Sequence, residues 1–146
     1  MQVSTTRFGN VEIEADDILL FSGGIYGFED CRHWVLLADA ENEAVAWLQC
    51  ISKPDVAVPV ISPRRFLPDY QVRVARSQLD ALELSAPDLA YVLVIVNRND
   101  DALTANLKAP LIVNLDRRVG RQVVTNDEQP LAHQSGVISR SLRKSA

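Results

Sequence analysis

Ala44-Val45-Ala46-Trp47-Leu48-Gln49-Cys50-Ile51, then Ser52-Lys53-Pro54-Asp55, then Val56-Ala57-Val58-Pro59-Val60-Ile61 is the stretch that decides the fold. Two runs rich in β-branched and aromatic residues flank a Pro-Asp pair suited to a turn. Each run has the length of a strand and is too short for a stable helix. The reading is therefore two strands joined by a short connection. Pro59 has no amide to give to a ladder, so its strand is expected at a sheet edge or at a bulge.

The same texture extends in both directions. Val11, Ile13 and Ile18 alternate with Glu12 and Glu14, and Gly9-Asn10 suits a tight turn back to Gln2–Thr6. Trp34–Leu37, Tyr70–Val74, Tyr91–Val96, Leu111–Leu115 and Arg121–Val124 are further strand candidates, the last two joined through Asp116–Gly120. One helix interrupts the series. Ser77 is placed to cap Gln78–Leu84, Pro87 to end it, and Asp88 to start one more turn. Many short strands at near-regular spacing point to a mostly β barrel or sandwich with one or two short helices. The 146 residues suffice for one core. A single domain is expected over residues 1–128. Residues 129–146 are polar and basic through Arg140, Arg143 and Lys144, and read as a loose tail.

The net charge of −4 argues against a dedicated nucleic-acid binder, which draws most of its affinity from neutralising phosphates. Charge is unevenly spread: Glu12 to Glu43 holds nine acids and one base, Arg32. That is either a solvated face or a patch for a basic partner. Cys31 and Cys50 have no CxxC spacing, so they read as reduced, buried thiols of a cytoplasmic protein. The N-terminal residues lack the plan of a signal peptide, and no apolar run approaches a membrane span.

Catalysis needs convergent groups, and few are legible. His33 and His133 belong to no HExxH or Cys/His cluster, so neither a metal nor a cofactor is expected. Gly23-Gly24 and Gly27 sit among apolar residues and make a poor phosphate cradle. The acid pairs Asp16-Asp17 and Asp100-Asp101 lack calcium-loop spacing. Two alternatives to a binding protein remain. One is a small hydrolase or transferase in which Cys31, two residues from His33 and on the same side of a strand, acts as a thiolate. The other is direct RNA binding through Arg64-Arg65-Phe66 and the basic tail.

Three segments together resemble the flagellar assembly factor family FliW. They are Gly24-Ile25-Tyr26-Gly27-Phe28-Glu29-Asp30; Trp47-Leu48-Gln49 with Pro54-Asp55 and Pro68-Asp69-Tyr70; and Leu103–Asn114 followed by Gly120-Arg121-Gln122-Val123-Val124. Their order and spacing cover residues 1 to about 125. The departures are Tyr26 and Ser22 in place of prolines, Val45-Ala46 in place of aromatics before Trp47, and Val58-Pro59 in place of a Phe-Val pair. The resemblance implies a small antiparallel β-barrel that is not an enzyme. It implies two partners, flagellin and the translational repressor CsrA. Binding CsrA would release flagellin messenger RNA, and accumulating flagellin would displace CsrA and shut translation down. The protein would act in the cytoplasm, as a monomer when free, without touching nucleic acid or membrane.

On that reading, the partner-binding candidates are Tyr26, Phe28, Glu29, Asp30, Asp69, Tyr70 and Asn106. Tyr26, an aromatic on a loop, is a contact anchor. Phe28 is also a core candidate. Glu29 and Asp30 either cap a turn or present charge. Asp69-Tyr70 opens a strand after a proline, with Tyr70 placed on the partner face. Asn106 and Asn114 suit backbone hydrogen bonds in turns or at strand ends. Trp47 suits a half-buried site with its N–H satisfied.

Overall fold

A computed structural model of the chain describes residues 1–85, 90–99 and 102–125. Ten strands are described: β1 (Gln2–Thr5), β2 (Gly9–Glu12), β3 (Ile18–Leu20), β4 (His33–Ala38), β5 (Ala46–Cys50), β6 (Ala57–Ile61), β7 (Tyr91–Asn99), β8 (Ala102–Ala105), β9 (Leu111–Asn114) and β10 (Val119–Gln122). One helical turn, α1 (Arg76–Leu79), runs into a 3-10 turn at Asp80–Leu82. Further 3-10 turns lie at Ala15–Asp17 and Pro63–Arg65.

Seven strands close a barrel in the order β6-β5-β4-β3-β10-β9-β7 and back to β6. β8 pairs with β7, and β1–β2 form a separate hairpin. Every ladder is antiparallel except β3 with β10, which run parallel and meet where Val119 faces Leu20. The mostly β fold and the barrel expected from the sequence are therefore present.

The core divides along the barrel. Trp34, Phe21, Ile25, Leu48, Val60, Leu111 and Val113 fill one cluster, all of them buried, with Cys31 and Cys50 among them. Removing each large apolar side chain from water contributes about 1.5–3 kcal/mol. A second cluster gathers Ile61, Tyr70, Val94, Val96, Ala105 and Leu107. A third, Val3, Ile13 and Val35, docks the β1–β2 hairpin on the barrel. Outside it Arg7 lies over Trp47, 3.9 Å from the ring centroid, and Phe8 meets the same ring edge-on. The Trp47 indole is half-buried and donates to Asp39 Oδ1 at 2.9 Å, which holds the Asp39 carboxyl below the usual range.

Several sequence readings need correction. Pro59 lies in a strand interior to the ring, facing Trp47 on β5 in continuous register, with neither edge nor bulge. The lost amide is tolerated because the β6–β7 pairing starts one residue later, at Val60 opposite Ile95. Gly9 and Asn10 belong to β2, opposite Thr5 and Ser4, so the turn is Thr6–Phe8. Tyr70–Val74 forms no ladder: Tyr70 is buried, and the Arg73 amide donates to Thr125 Oγ1 in place of a strand. The alternation was real, but side chains answer it. Ser77 does not occupy the cap position, because α1 starts at Arg76, two residues before the expected start, with Ala75 as its N-cap. Pro87, Asp88, Asp100, Asp101 and the tail 129–146 with His133 lie outside the described residues.

On β7 the pairing passes from β9 to β8 with a change of register. Leu93 faces Leu111 and Val96 faces Ala105, so three steps along β7 answer six on the partner. The three extra residues are taken up in the bulging segment 106–110.

Candidate functional site

The loop from Phe21 to Arg32 carries four of the seven candidates. Its ends close where the Phe21 amide donates to the Arg32 carbonyl at 2.7 Å. Inside it are three tight turns: Gly24 N–H to Phe21 C=O, Phe28 N–H to Ile25 C=O and Cys31 N–H to Phe28 C=O. Gly24 and Gly27 have φ of +70° and +92°, the left-handed region that disfavours any side chain. A Cβ on Gly24 would also sit 2.6 Å from the Glu29 backbone.

These turns sort the side chains. Ile25 points into the core and Tyr26 points out, 59% exposed. Phe28 is half-buried and meets Trp34 edge-on at 6.2 Å, while the Trp34 indole donates to the Cys31 carbonyl at 2.8 Å. Glu29 accepts from the Gly27 amide at 3.1 Å, which makes it the cap of that turn. Asp30 is exposed and paired with Lys53 at 2.5 Å, which lowers its pKa and raises that of the lysine. Other members of the acidic tract are also answered from afar, Glu12 by the N-terminus and Glu43 by Arg65. Glu14 and Asp17 form a capping box around the first 3-10 turn, which holds Asp16 between them. The tract is thus less a bare patch than the sequence suggests.

Asp69 and Asn106 are exposed. Tyr70 is only 4% exposed, and its hydroxyl donates to the Leu107 carbonyl at 2.6 Å. This burial is at odds with a place on the partner face: the side chain supports the surface from below. Leu107 lies in the bulging segment, next to Asn106, so Tyr70 ties Asp69 to Asn106.

Gln122 joins the two groups of candidates. Its Oε1 accepts from the Tyr26 amide at 2.7 Å, and its Nε2 donates to the Ala109 carbonyl at 3.0 Å. Two further bulge carbonyls are taken by main-chain amides, Lys108 by Thr125 and Pro110 by Val123. A buried glutamine thus replaces a missing ladder between the Tyr26 loop and the bulge. Sequence reasoning missed it. The available signal was a glutamine ahead of Val123-Val124, inside a segment already singled out for its resemblance. Beside it opens a groove of about 460 Å³, lined by Leu20, Ser22, Tyr26, Leu82, Arg121 and Gln122 among others. Asn114 works in the same way at the other end of β9. Its amide donates to the Leu82 carbonyl and its Oδ1 accepts from Asp116 and Arg117.

The Cys31–His33 pairing is not formed as expected. Cys31 precedes β4, so strand alternation does not place it; it is wholly buried, whereas His33 is exposed. Burial, and a hydrogen bond with Cys50, push the Cys31 thiol up to about 11. Such a group is a poor nucleophile at neutral pH. Arg64 and Arg65 are exposed, but Arg64 Nε donates to the Tyr70 carbonyl and Arg65 pairs with Glu43. Among the described residues no three His, Cys, Asp or Glu side chains gather to hold a metal ion, and no helix is long and apolar enough to cross a membrane.

The comparisons with known proteins agree with one another. The family described as FliW protein matches residues 2–135. The flagellar assembly factor FliW of Bdellovibrio bacteriovorus is 44% identical over 129 residues, 87% of this chain and 74% of that protein. Its counterpart in Thermoanaerobacter pseudethanolicus is 37% identical, covering 91% of each chain. A crystal structure of the flagellar assembly factor FliW superposes with a TM-score of 0.81 at 29% identity, over 90% of this chain and 94% of the other. With a family match over nearly the whole chain and a barrel that superposes on a solved member, this chain belongs to the FliW family of flagellar assembly factors.

Proposed function

We propose that this chain is a cytoplasmic regulator, monomeric when free, that binds flagellin and CsrA in competition and so couples flagellin translation to export. It acts by stoichiometric binding, without turnover, cofactor or nucleic acid. The observation that carries the reading is Tyr26, an exposed aromatic on a loop that resembles the family's and fixed to the barrel through Gln122. A rigid aromatic anchor loses little entropy on binding, the usual property of an interface hot spot. Tyr26, Glu29, Asp30, Asp69 and Asn106 form the contacting set in this proposal, with Phe28 and Tyr70 supporting them from beneath.

Competition sets the direction of the switch. Flagellin frees CsrA only to the extent that the two exclude each other on this chain, and the coupling is reciprocal. The purified full chain should form one-to-one complexes with flagellin and with CsrA from its own organism, and added flagellin should displace CsrA. Tyr26→Ala should weaken at least one complex by about tenfold, on the order of 1–2 kcal/mol. Failure to bind either protein at low and moderate salt would overturn the proposal.

A further inference from the structure

The groove beside Gln122 is an unfilled strand position. β3 and β10 meet only where Val119 faces Leu20, with the Leu20 amide donating to the Arg118 carbonyl at 2.9 Å. After Leu20 the chain turns away, because the Phe21 amide is taken by Arg32. β10 runs on alone on that side. Its alternate residues face β9, as shown by the Val123 and Thr125 amides donating to Pro110 and Lys108. Residues in step with Arg118 therefore aim their backbone groups the other way: the Gly120 amide is taken by Leu20 in the bridge, and the Gly120 carbonyl and the Gln122 backbone groups face the groove. Among the described residues no strand continues the pairing there.

The walls of this gap have a definite chemistry. Leu20 and Tyr26 stand exposed on one side, both large and apolar. Arg121 is the one charged residue in the lining. One of its five donors is spent on the Gln78 carbonyl at 3.0 Å. An open strand edge flanked by apolar side chains suits strand addition, in which main-chain bonds give affinity and alternate side chains give specificity.

We propose that this groove receives an extended segment of a partner protein as an added strand along β10, with an acidic side chain at Arg121 and apolar side chains against Leu20 and Tyr26. The inference deepens the partner-binding reading above and rests on it for the nature of the partner. It supplies the binding mode and the sequence character of the bound segment.

The test uses the full chain and a random twelve-residue peptide library displayed on phage. The best selected peptide is synthesised and its affinity measured. Selected peptides should alternate apolar residues and carry an acid. Methylating one alternate set of peptide amide nitrogens should weaken binding at least tenfold, and methylating the other set should leave it unchanged. Hydrogen exchange at the Gln122 amide should slow when the peptide binds. Arg121→Glu should weaken binding at least tenfold, and Ser22→Trp, which fills the groove from an exposed position, should abolish it. The inference is overturned if no peptide is selected, if the selected peptides bind as helices, if both methylated sets bind alike, or if both variants retain affinity. Intact flagellin and CsrA are measured in parallel. If they bind while no extended peptide does, strand addition is wrong and the functional reading stands. If peptides bind as strands while neither protein does, the groove is confirmed and the functional reading fails.

Discussion

The barrel has one strongly zipped side and one barely closed seam. From β4 to β6 the ladders run without a break, Trp34 opposite Cys50 through Ala38 opposite Ala46, then Ala46 opposite Val60 through Gln49 opposite Ala57. Between β3 and β10 only Val119 faces Leu20, and the rest of that boundary is held by side chains. The zipped side is paired backbone over a buried hydrophobic cluster. At the seam, one glutamine does what a ladder does elsewhere. The difference teaches where a closed barrel can admit a partner: at the place where its own backbone pairing is least complete.

The largest effect should come from the zipped side. Trp34 is wholly buried, so Trp34→Ala should destabilise the protein by about 3–5 kcal/mol in denaturant unfolding. At the seam, Gly120 has the Phe21 ring where a Cβ would go, 2.4 Å away. Gly120→Ala should cost about 1–3 kcal/mol through overpacking. If it costs as much as the tryptophan change, the contrast between the two sides is broken. Gln122→Leu keeps the volume but leaves the Tyr26 amide and Ala109 carbonyl without their partner, which should cost about 1–2 kcal/mol. Its sharper signature is local: amide exchange should speed up in residues 22–28 and stay unchanged in β5.

The smallest effect should be electrostatic. The Trp47 hydrogen bond first, with backbone bonds and Arg7, depresses the Asp39 pKa. A depressed carboxylate contributes stability above its unfolded value of roughly 3.9, and that contribution is lost as pH falls through the folded value. Asp39 is half-buried at the surface, where solvent screening keeps the effect of Asp39→Asn to about 1 kcal/mol at pH 7. The difference from wild type should shrink towards acid pH. A difference that grows on acidification would show that the charge on Asp39 is not what the Trp47 contact stabilises.

What could be read from the sequence follows the same division. β4, β5 and β6 were legible because short runs rich in β-branched and aromatic residues, with a Pro-Asp turn between the last two, have the length of buried strands. Pro59 misled, since an edge seemed necessary where the ring only needed its next pairing to start one residue later. Tyr70 misled in the opposite sense. Its alternating segment looked like a strand opening at the surface, but the ring is buried and its hydroxyl is spent on Leu107. Of the site, the Gly24–Asp30 loop was legible through its glycines and its resemblance. Gln122 and the groove were not, because a polar side chain bridging residues as distant as Tyr26 and Ala109 leaves no periodic trace.

The seam also has a consequence in time. Leu20 waits for Val119, ninety-nine positions later in the chain. At roughly 5–20 residues per second of synthesis, that is about 5–20 s during which β3 has been made and its barrel neighbour has not. Closing so long a loop is slow compared with forming the β4–β5–β6 meander, whose pairings are local. A nascent chain therefore spends seconds as a folded meander with an open flank, and the ring is completed only when β10 has been synthesised.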